Sequence, residues 1–158
     1  MPTTTVPEVG SQAPDFRLRG PGGQRIGLAD YRGKRNVVLA FYPLAFSPVC
    51  SHQLPTIQRD LERLRELDAE VLGISVDSYY ANEAFARHLG LSFPLLSDFR
   101  RETSEKYGVL MPEALHSTRA LFVVDKQGVI VHREALEDPT RVPSNEDVIR
   151  ALEQLRRD

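Results

Sequence analysis

The sequence has a single cysteine, Cys50, and one thiol cannot form a disulfide within its own chain. This argues against a small secreted domain stabilised by disulfides, in which cysteines usually come in even numbers. Long apolar runs are also missing: the longest, VVLAF at 37–41, is far shorter than the ~20 residues that span a bilayer. The N-terminus, MPTTTVPEVG, has neither a basic start nor an apolar signal core. We therefore expect a cytoplasmic protein without membrane association.

Neither sign of charge dominates, since the formal net charge is −2. Acidic and basic residues alternate along the chain, so the composition gives no reason to expect nucleic acid as a partner. The sequence also lacks internal repeats, low-complexity tracts and linkers rich in Gly, Ser or Pro. Its 158 residues are enough for one hydrophobic core. We expect a single domain that spans 1–158.

Two kinds of pattern predict strands. Short alternating segments at 16–19 and 24–28 surround GPGG and indicate an N-terminal β-hairpin, because glycine accepts the positive φ of tight turns. Apolar runs rich in β-branched residues predict strands buried in a sheet. These further predicted strands are 36–42, 70–77, 93–98, 119–125 and 129–134.

Helices are predicted between the strands. Leu54, Ile57, Leu61 and Leu64 recur every three or four residues, which is typical of an amphipathic helix that begins near Cys50. The other predicted helices are 82–90, closed by a glycine cap, 100–108, and 145–155 with Ser144 as its N-cap. This order predicts an α/β protein with a central mixed β-sheet flanked by helices, as in the thioredoxin-like fold.

Pro55 leaves two interpretations open within the first of these helices. Its nitrogen cannot donate to the carbonyl of Ser51, so we expect either a kink or a slightly offset first turn. The proline is then either tolerated in an early turn or responsible for a functional bend.

Cys50 also admits two interpretations, because free cysteines are usually small buried hydrophobic residues. Here the thiol follows a loop and opens a helix, where unpaired N–H groups and the positive end of the macrodipole stabilise a thiolate. The loop also follows the carboxyl end of a strand, which is where sites form in open α/β sheets. This position favours a reactive thiol.

The segment PLAFSPVC at 43–50 matches P-x-x-x-[T/S]-x-x-C, the active-site motif of the peroxiredoxins, directly after an apolar strand. Segments at 9–18, 93–98 and 118–130 resemble the family's opening, middle strand and final hairpin in the same order. With no second cysteine, the sequence most resembles the one-cysteine alkyl hydroperoxide reductase E type.

The resemblance implies roles for four residues. Cys50 would be the nucleophile, oxidised to a sulfenic acid, and Ser47 would supply the hydroxyl that most members supply with threonine. Arg119 would stabilise the thiolate and hold the peroxide oxygens, although without the resemblance a surface arginine at a strand start is the preferred interpretation. Pro43 would cover the sulfur, a role that it can combine with ending the strand.

Three further residues are candidates for substrate binding. The backbone N–H groups of Val49 and Cys50 would be additional donors to the peroxide. Leu44 and Phe46 would form an apolar rim.

The resemblance also implies the reaction and its partners. The protein would be a thiol-dependent peroxidase for hydrogen peroxide, organic hydroperoxides or peroxynitrite, and would be a homodimer. Since no resolving cysteine exists, an external thiol would reduce the sulfenic acid: a low-molecular-weight thiol, a glutaredoxin-like protein or a thioredoxin. The alternatives are a redox-sensing protein in which oxidation of Cys50 controls partner binding, and a structural domain with an inert thiol.

We expect no cofactor and no metal. Cys50 and His52 are spaced like a ligand pair, but a structural zinc site usually takes four ligands, and the other histidines are scattered. An exposed position at the first turn of the helix is the simpler interpretation of His52. Gln53 stands where many members of the family have glutamate, so a charged contact there would become a hydrogen bond.

Overall fold

The computed structural model describes residues 5–48, 50–136 and 145–157. The strands are β1 (Arg17–Arg19), β2 (Arg25–Gly27), β3 (Asn36–Phe41), β4 (Ala69–Ser75), β5 (Leu95–Ser97), β6 (Arg119–Val124) and β7 (Ile130–Leu136). The α-helices are α1 (Cys50–Arg59), α2 (Leu61–Glu66), α3 (Tyr79–Leu89), α4 (Glu102–Lys106) and α5 (Asn145–Arg157). This element order confirms the predicted alternation of strands and helices.

The seven strands form one mixed sheet in the order β2-β1-β5-β4-β3-β6-β7. β3, β4 and β5 are parallel to one another, whereas the other neighbouring pairs are antiparallel. The predicted α/β fold with a mixed sheet is thereby confirmed. Because β3 lies between β4 and the antiparallel β6, the carboxyl end of β3 lies beside the beginning of β6.

The N-terminal hairpin is also confirmed. β1 pairs with β2 antiparallel, with Arg17 opposite Gly27. The turn between them contains Gly22 at φ +67° and Gly23 at φ +80°, in the left-handed region that glycine adopts without steric cost.

The core lies on both faces of the sheet. All six residues of β3 are buried, as expected for a strand covered on both sides. Val38 and Ala40 pack toward the face that α1, α2 and α5 cover, and Val37 and Leu39 pack with Tyr107 on the opposite face. Full burial of each large apolar side chain contributes about 1.5–3 kcal/mol, so these two layers dominate the stability of the fold.

The helix predicted after Cys50 is two helices. Leu54, Ile57, Leu61 and Leu64 are all buried, as the periodicity predicted. The helix is interrupted at Asp60, whose N–H donates to the carbonyl of Ile57 in a tighter turn. Pro55 lies within α1, which continues past it to Arg59.

The remaining helix ends agree with the sequence only in part, since α3 begins at Tyr79 rather than at 82 and α4 spans Glu102–Lys106 rather than 100–108. α3 ends at a left-handed Gly90, the predicted cap. α5 begins at Asn145, whose amide donates to the carbonyl of Thr56 and to Asp60. The predicted cap Ser144 lies outside the described residues. Among the described helices, none is both long and apolar enough to cross a membrane.

Candidate active site

A short loop after β3 carries most of the motif residues. Pro43 is buried directly beyond the end of the strand, and Leu44 and Phe46 are exposed. Cys50 is the first residue of α1, so the predicted start of a helix near this residue is confirmed. Val49 lies outside the described residues.

The hydroxyl of Ser47 is held within this loop. Its Oγ donates to the carbonyl of Leu44 at 2.9 Å, and the side chain is half-buried. A serine hydroxyl has one donor and two acceptor lone pairs. With its proton directed at Leu44, the oxygen is available to accept a hydrogen bond from a bound molecule.

Phe46 adopts an unusual backbone conformation in the same loop. Its φ is +66°, a left-handed conformation that costs a residue other than glycine about 1–2 kcal/mol. The ring packs on Phe85 with centroids 4.9 Å apart and lies near His88 at 5.7 Å. Packing of this kind is what keeps the strained conformation in place.

A buried polar cluster supports the loop from the carboxyl ends of the neighbouring strands. Asp77 accepts from the N–H of Ala45 at 2.7 Å and from the hydroxyl of Ser75 at 2.8 Å. The hydroxyl of Tyr42 donates to the amide oxygen of Asn82 at 2.6 Å. The loop is therefore tied to the ends of β3 and β4 by hydrogen bonds from side chains.

Arg119 contacts the helix that follows the loop. It is the first residue of β6 and is only 2 % exposed, which excludes its interpretation as a surface arginine. Its Nη1 donates to Oε1 of Gln53 at 3.0 Å, and Gln53 is 1 % exposed. The fold thus brings a cation to the third residue after Cys50, across 66 positions of sequence.

Ser117 connects the same two regions through the backbone. Its hydroxyl donates to the carbonyl of Tyr42 at 3.1 Å, in a buried position. This bond fixes the start of β6 next to the residue that precedes Pro43. His116 is half-buried, with Nδ1 3.0 Å from the Ser117 carbonyl.

Two further histidines lie on helices. His52 is exposed on α1, as predicted, and His88 is exposed on α3. Within residues 5–48, 50–136 and 145–157, no three His, Cys, Asp or Glu side chains are grouped to hold a metal ion.

This arrangement has the components of a thiol site. A residue at the start of a helix experiences the positive end of the helix dipole, and a buried guanidinium is a permanent cation with directional donors. Both favour an anionic group at the loop between β3 and α1.

Comparison with known proteins decides the family. The family model described as "AhpC/TSA family" matches residues 9–133. The chain belongs to this family, the peroxiredoxins. It is 40 % identical over 124 residues to alkyl hydroperoxide reductase E of Mycobacterium tuberculosis, which covers 77 % of this chain and 81 % of the relative. The predicted resemblance to that one-cysteine type is confirmed.

Another relative is a larger protein. The chain is 38 % identical over 137 residues to the chloroplastic 2-Cys peroxiredoxin BAS1 of Hordeum vulgare, across 80 % of this chain but 65 % of that protein. Among solved structures, reduced 2-Cys peroxiredoxin of Plasmodium vivax superposes with a TM-score of 0.87 at 28 % identity, covering 94 % of this chain and 82 % of that chain. AhpC of M. tuberculosis gives 0.85 at 26 % identity, covering 96 % and 94 %. The thioredoxin-like fold of the peroxiredoxins is therefore confirmed.

The sequence motif did not reveal the residues that support the peroxiredoxin loop. Asp77, Asn82 and Ser117 all contact the chain around the end of β3 from distant segments. A signal was present for Asp77, because a carboxylate directly after a buried strand lies at the edge of the sheet where such sites form. Nothing local indicated Asn82 or Ser117.

Proposed function

We propose that this peroxiredoxin is a thiol-dependent peroxidase that works through a sulfenic acid on Cys50. The observation that carries the proposal is the buried Arg119, hydrogen-bonded to Gln53 of the helix that begins at Cys50. In a peroxiredoxin, a cation held at this place has a direct use, which is to stabilise the thiolate and the charge that develops on the peroxide.

The first half-reaction uses residues of this chain alone. The Cys50 thiolate attacks one peroxide oxygen, the O–O bond breaks, and the second oxygen leaves as hydroxide or alkoxide and is protonated. Arg119 stabilises the charge on both oxygens, the Ser47 hydroxyl orients the peroxide, and Pro43 shields the sulfur from water. The N–H groups of Val49 and Cys50 are proposed as further donors.

The second half-reaction needs another molecule, since Cys50 is the only cysteine of the chain. An external thiol attacks the sulfenic acid, water leaves, and a mixed disulfide forms. A second thiol then releases the Cys50 thiol and leaves an oxidised external disulfide. We propose a low-molecular-weight thiol, a glutaredoxin-like protein or a thioredoxin as the donor.

The redox-sensing alternative is not favoured. The similar proteins are named as peroxiredoxins and as alkyl hydroperoxide reductase, and residues expected for peroxide reduction are present around the loop. A sensor would need a partner surface that changes on oxidation, and no described feature indicates one.

Hydrogen peroxide, organic hydroperoxides and peroxynitrite are the proposed substrates. Exposed Leu44 and Phe46, at 39 % and 53 %, support an apolar rim suited to organic hydroperoxides. We also propose that the chain is one domain, because a single sheet carries both hydrophobic clusters. A homodimer and a cytoplasmic location complete the proposal.

The test is single-turnover oxidation of the reduced protein. One equivalent of peroxide should be consumed far faster than by a free thiol at the same pH, with a gain of one oxygen in mass at Cys50. Cys50→Ser should abolish both changes, and His52→Gln serves as the matched control. Oxidation no faster than that of a free thiol would overturn the proposal. Continuous turnover with candidate thiols then identifies the reductant.

A further inference from the structure

A cavity of about 490 Å³ lies beyond the carboxyl end of β5. It is bounded by the hairpin of β1 and β2 and by the starts of α3 and α4, and none of residues 43–48 lines it. Open α/β sheets bind ligands beyond the carboxyl ends of their strands, and small-molecule sites have volumes of about 300–1,000 Å³. The position and size of this cavity therefore suit a small molecule, and its lining indicates which kind.

Two arginines of the hairpin face each other at this cavity. Arg19 of β1 lies directly opposite Arg25 of β2, and both exposed side chains line the cavity. Like charges directly opposite each other destabilise a pair of strands. Among the described residues neither arginine pairs with a carboxylate, whereas Arg17 pairs with Asp30. The two guanidinium groups are thus able to bind one anion together.

The acidic groups of the lining have partners of their own. Both carboxylate oxygens of Asp98 accept N–H groups at the start of α4, from Thr103 and Ser104. Glu102 pairs with Arg100 at 3.3 Å. These two carboxylates are outnumbered by the basic residues of the lining, which are Arg17, Arg19, Arg25, Arg100 and Lys106. The cavity therefore favours an anionic ligand, and the planar fork of a guanidinium matches the oxygens of a phosphate group.

Aromatic rings form another part of the lining. Tyr79 and Tyr80 stack with ring centroids 4.1 Å apart, and the guanidinium carbon of Arg19 lies 6.0 Å from the centroid of Tyr79. Tyr80 is 70 % exposed and Phe99 is 62 % exposed. Exposed rings next to arginines form a platform on which a planar ring can stack. A ligand with both an anionic group and a planar ring would use both parts of the lining.

We propose that this cavity binds a nucleoside phosphate, with the phosphate group between Arg19 and Arg25 and the base stacked on Tyr80. Side chains directly opposite each other in an antiparallel pair begin about 5 Å apart, so both guanidinium groups can reach the oxygens of one phosphate group. The binding site is separate from the loop before Cys50, and the proposal does not depend on the proposed peroxidase function.

Isothermal titration calorimetry of the whole chain with ADP, adenosine and pyrophosphate tests the two halves of the site. ADP has a planar base and phosphate groups, adenosine has only the base, and pyrophosphate has only the phosphate groups. We expect ADP to bind at least about tenfold more tightly than either of the others, because stacking and phosphate contacts each contribute a factor of this size.

Substitutions then separate the two contributions. Arg19→Gln should weaken binding of both ADP and pyrophosphate about tenfold, since each uses the arginine pair. Tyr80→Ala should weaken binding of ADP about tenfold and leave pyrophosphate unaffected, since only the base uses the ring. Arg150→Gln removes one exposed charge from α5 and is the matched control, with no expected change.

Arg25→Glu provides a second measurement on the same pair. The new carboxylate would lie opposite Arg19, so the urea midpoint should rise slightly while ADP binding is lost. A variant that is at least as stable as the wild type and no longer binds ADP cannot have lost binding through unfolding.

Three results would overturn the proposal: ADP that binds no more tightly than adenosine or pyrophosphate, ADP affinity that survives both Arg19→Gln and Arg25→Glu, or a short single-stranded oligonucleotide that binds far more tightly than ADP. The last result would assign the surface to a nucleic acid. Cys50→Ser should bind ADP as the wild type does, so a protein that fails as a peroxidase would still give a clear answer about this cavity.

Discussion

The backbone N–H of Ala45 donates to the carboxylate of Asp77 at 2.7 Å, and this bond joins the loop before α1 to the end of β4. The same carboxylate oxygen accepts from the hydroxyl of Ser75, the last residue of that strand. Asp77 therefore determines where the loop of Pro43 and Ser47 lies relative to the sheet.

Asp77→Ala should loosen this loop. We expect the rate of peroxide reduction to fall about 10–100-fold, because small displacements of reacting groups have effects of this size. The free energy of unfolding should fall by about 2 kcal/mol, since bonds to a charged acceptor are lost. Stopped-flow oxidation and urea unfolding measure the two effects.

The conservative variant separates position from charge. Asp77→Asn keeps one oxygen for both donors and should retain most of the activity. Glu113→Ala, at an exposed position, is the control and should change neither quantity. Wild-type kinetics in Asp77→Ala would show that the loop does not depend on this bond.

Phe46 allows a comparison of two variants that both remove the ring. In Phe46→Ala the left-handed φ of +66° remains strained, whereas Phe46→Gly adopts it freely. Glycine should therefore give the more stable protein by about 1 kcal/mol, reversing the usual order of the two residues. Urea unfolding of the pair tests this, and an alanine variant at least as stable as the glycine variant would refute it.

Arg119→Lys tests whether charge alone is sufficient at β6. Lysine keeps the positive charge but has no planar fork with which to hold Gln53 and a peroxide together. We expect the rate of peroxide reduction at pH 7 to fall about 100-fold, the effect of removing a preorganised donor. The control is Arg100→Lys on the surface, which should react as the wild type does. Equal rates for Arg119→Lys and wild type would remove the guanidinium geometry from the mechanism.

Asp98, which lies away from the active site, should make the free energy of unfolding depend on pH. Burial raises the pKa of its carboxyl, and hydrogen bonds from Ser104 and Thr103 offset only part of this. A carboxyl whose pKa is raised in the folded state contributes most stability below its unfolded pKa of about 3.9 and loses it as pH rises through the folded value. The stability advantage of wild type over Asp98→Asn should therefore be larger at pH 4 than at pH 7.

Urea unfolding of both proteins at pH 4, 5, 6 and 7 gives that difference directly. Asp98→Asn should remain the less stable protein throughout, because its NH₂ replaces an acceptor of backbone N–H bonds. Asp15→Asn, at an exposed position, is the control and should change the free energy of unfolding at pH 7 by less than about 0.5 kcal/mol. An advantage of Asp98 that grows with pH would contradict the prediction.

Elements with a strong local pattern could be predicted from the sequence. β3 is recognisable because a strand covered on both faces needs apolar residues at successive positions, and α3 because glycine closes it. The interruption between α1 and α2 was not predicted, since Leu54, Ile57, Leu61 and Leu64 keep one periodicity across it. The tighter turn at Asp60 does not change the spacing of these apolar residues, so the spacing could not reveal it.

The candidate site likewise has a part that could be predicted from the sequence and a part that could not. The order of Pro43, Ser47 and Cys50 is visible in one segment, and the resemblance to a family added Arg119. The resemblance indicated a hydrogen bond at Gln53. Its partner and the contact of Asp77 were not predictable, because each joins segments that meet only when the sheet forms. Strand order decides such contacts, and no local spacing encodes it.

The sequence by itself determined that one thiol follows a buried strand, opens an amphipathic helix, and has no second cysteine in the chain. Those features follow from local order, apolar periodicity and composition. Only the tertiary structure decided that Arg119 is buried against Gln53 and that Asp77 holds the loop. The physical reason is that β6 runs antiparallel to β3 and β4 parallel to it, which brings the start of one strand and the ends of two others to the same edge of the sheet.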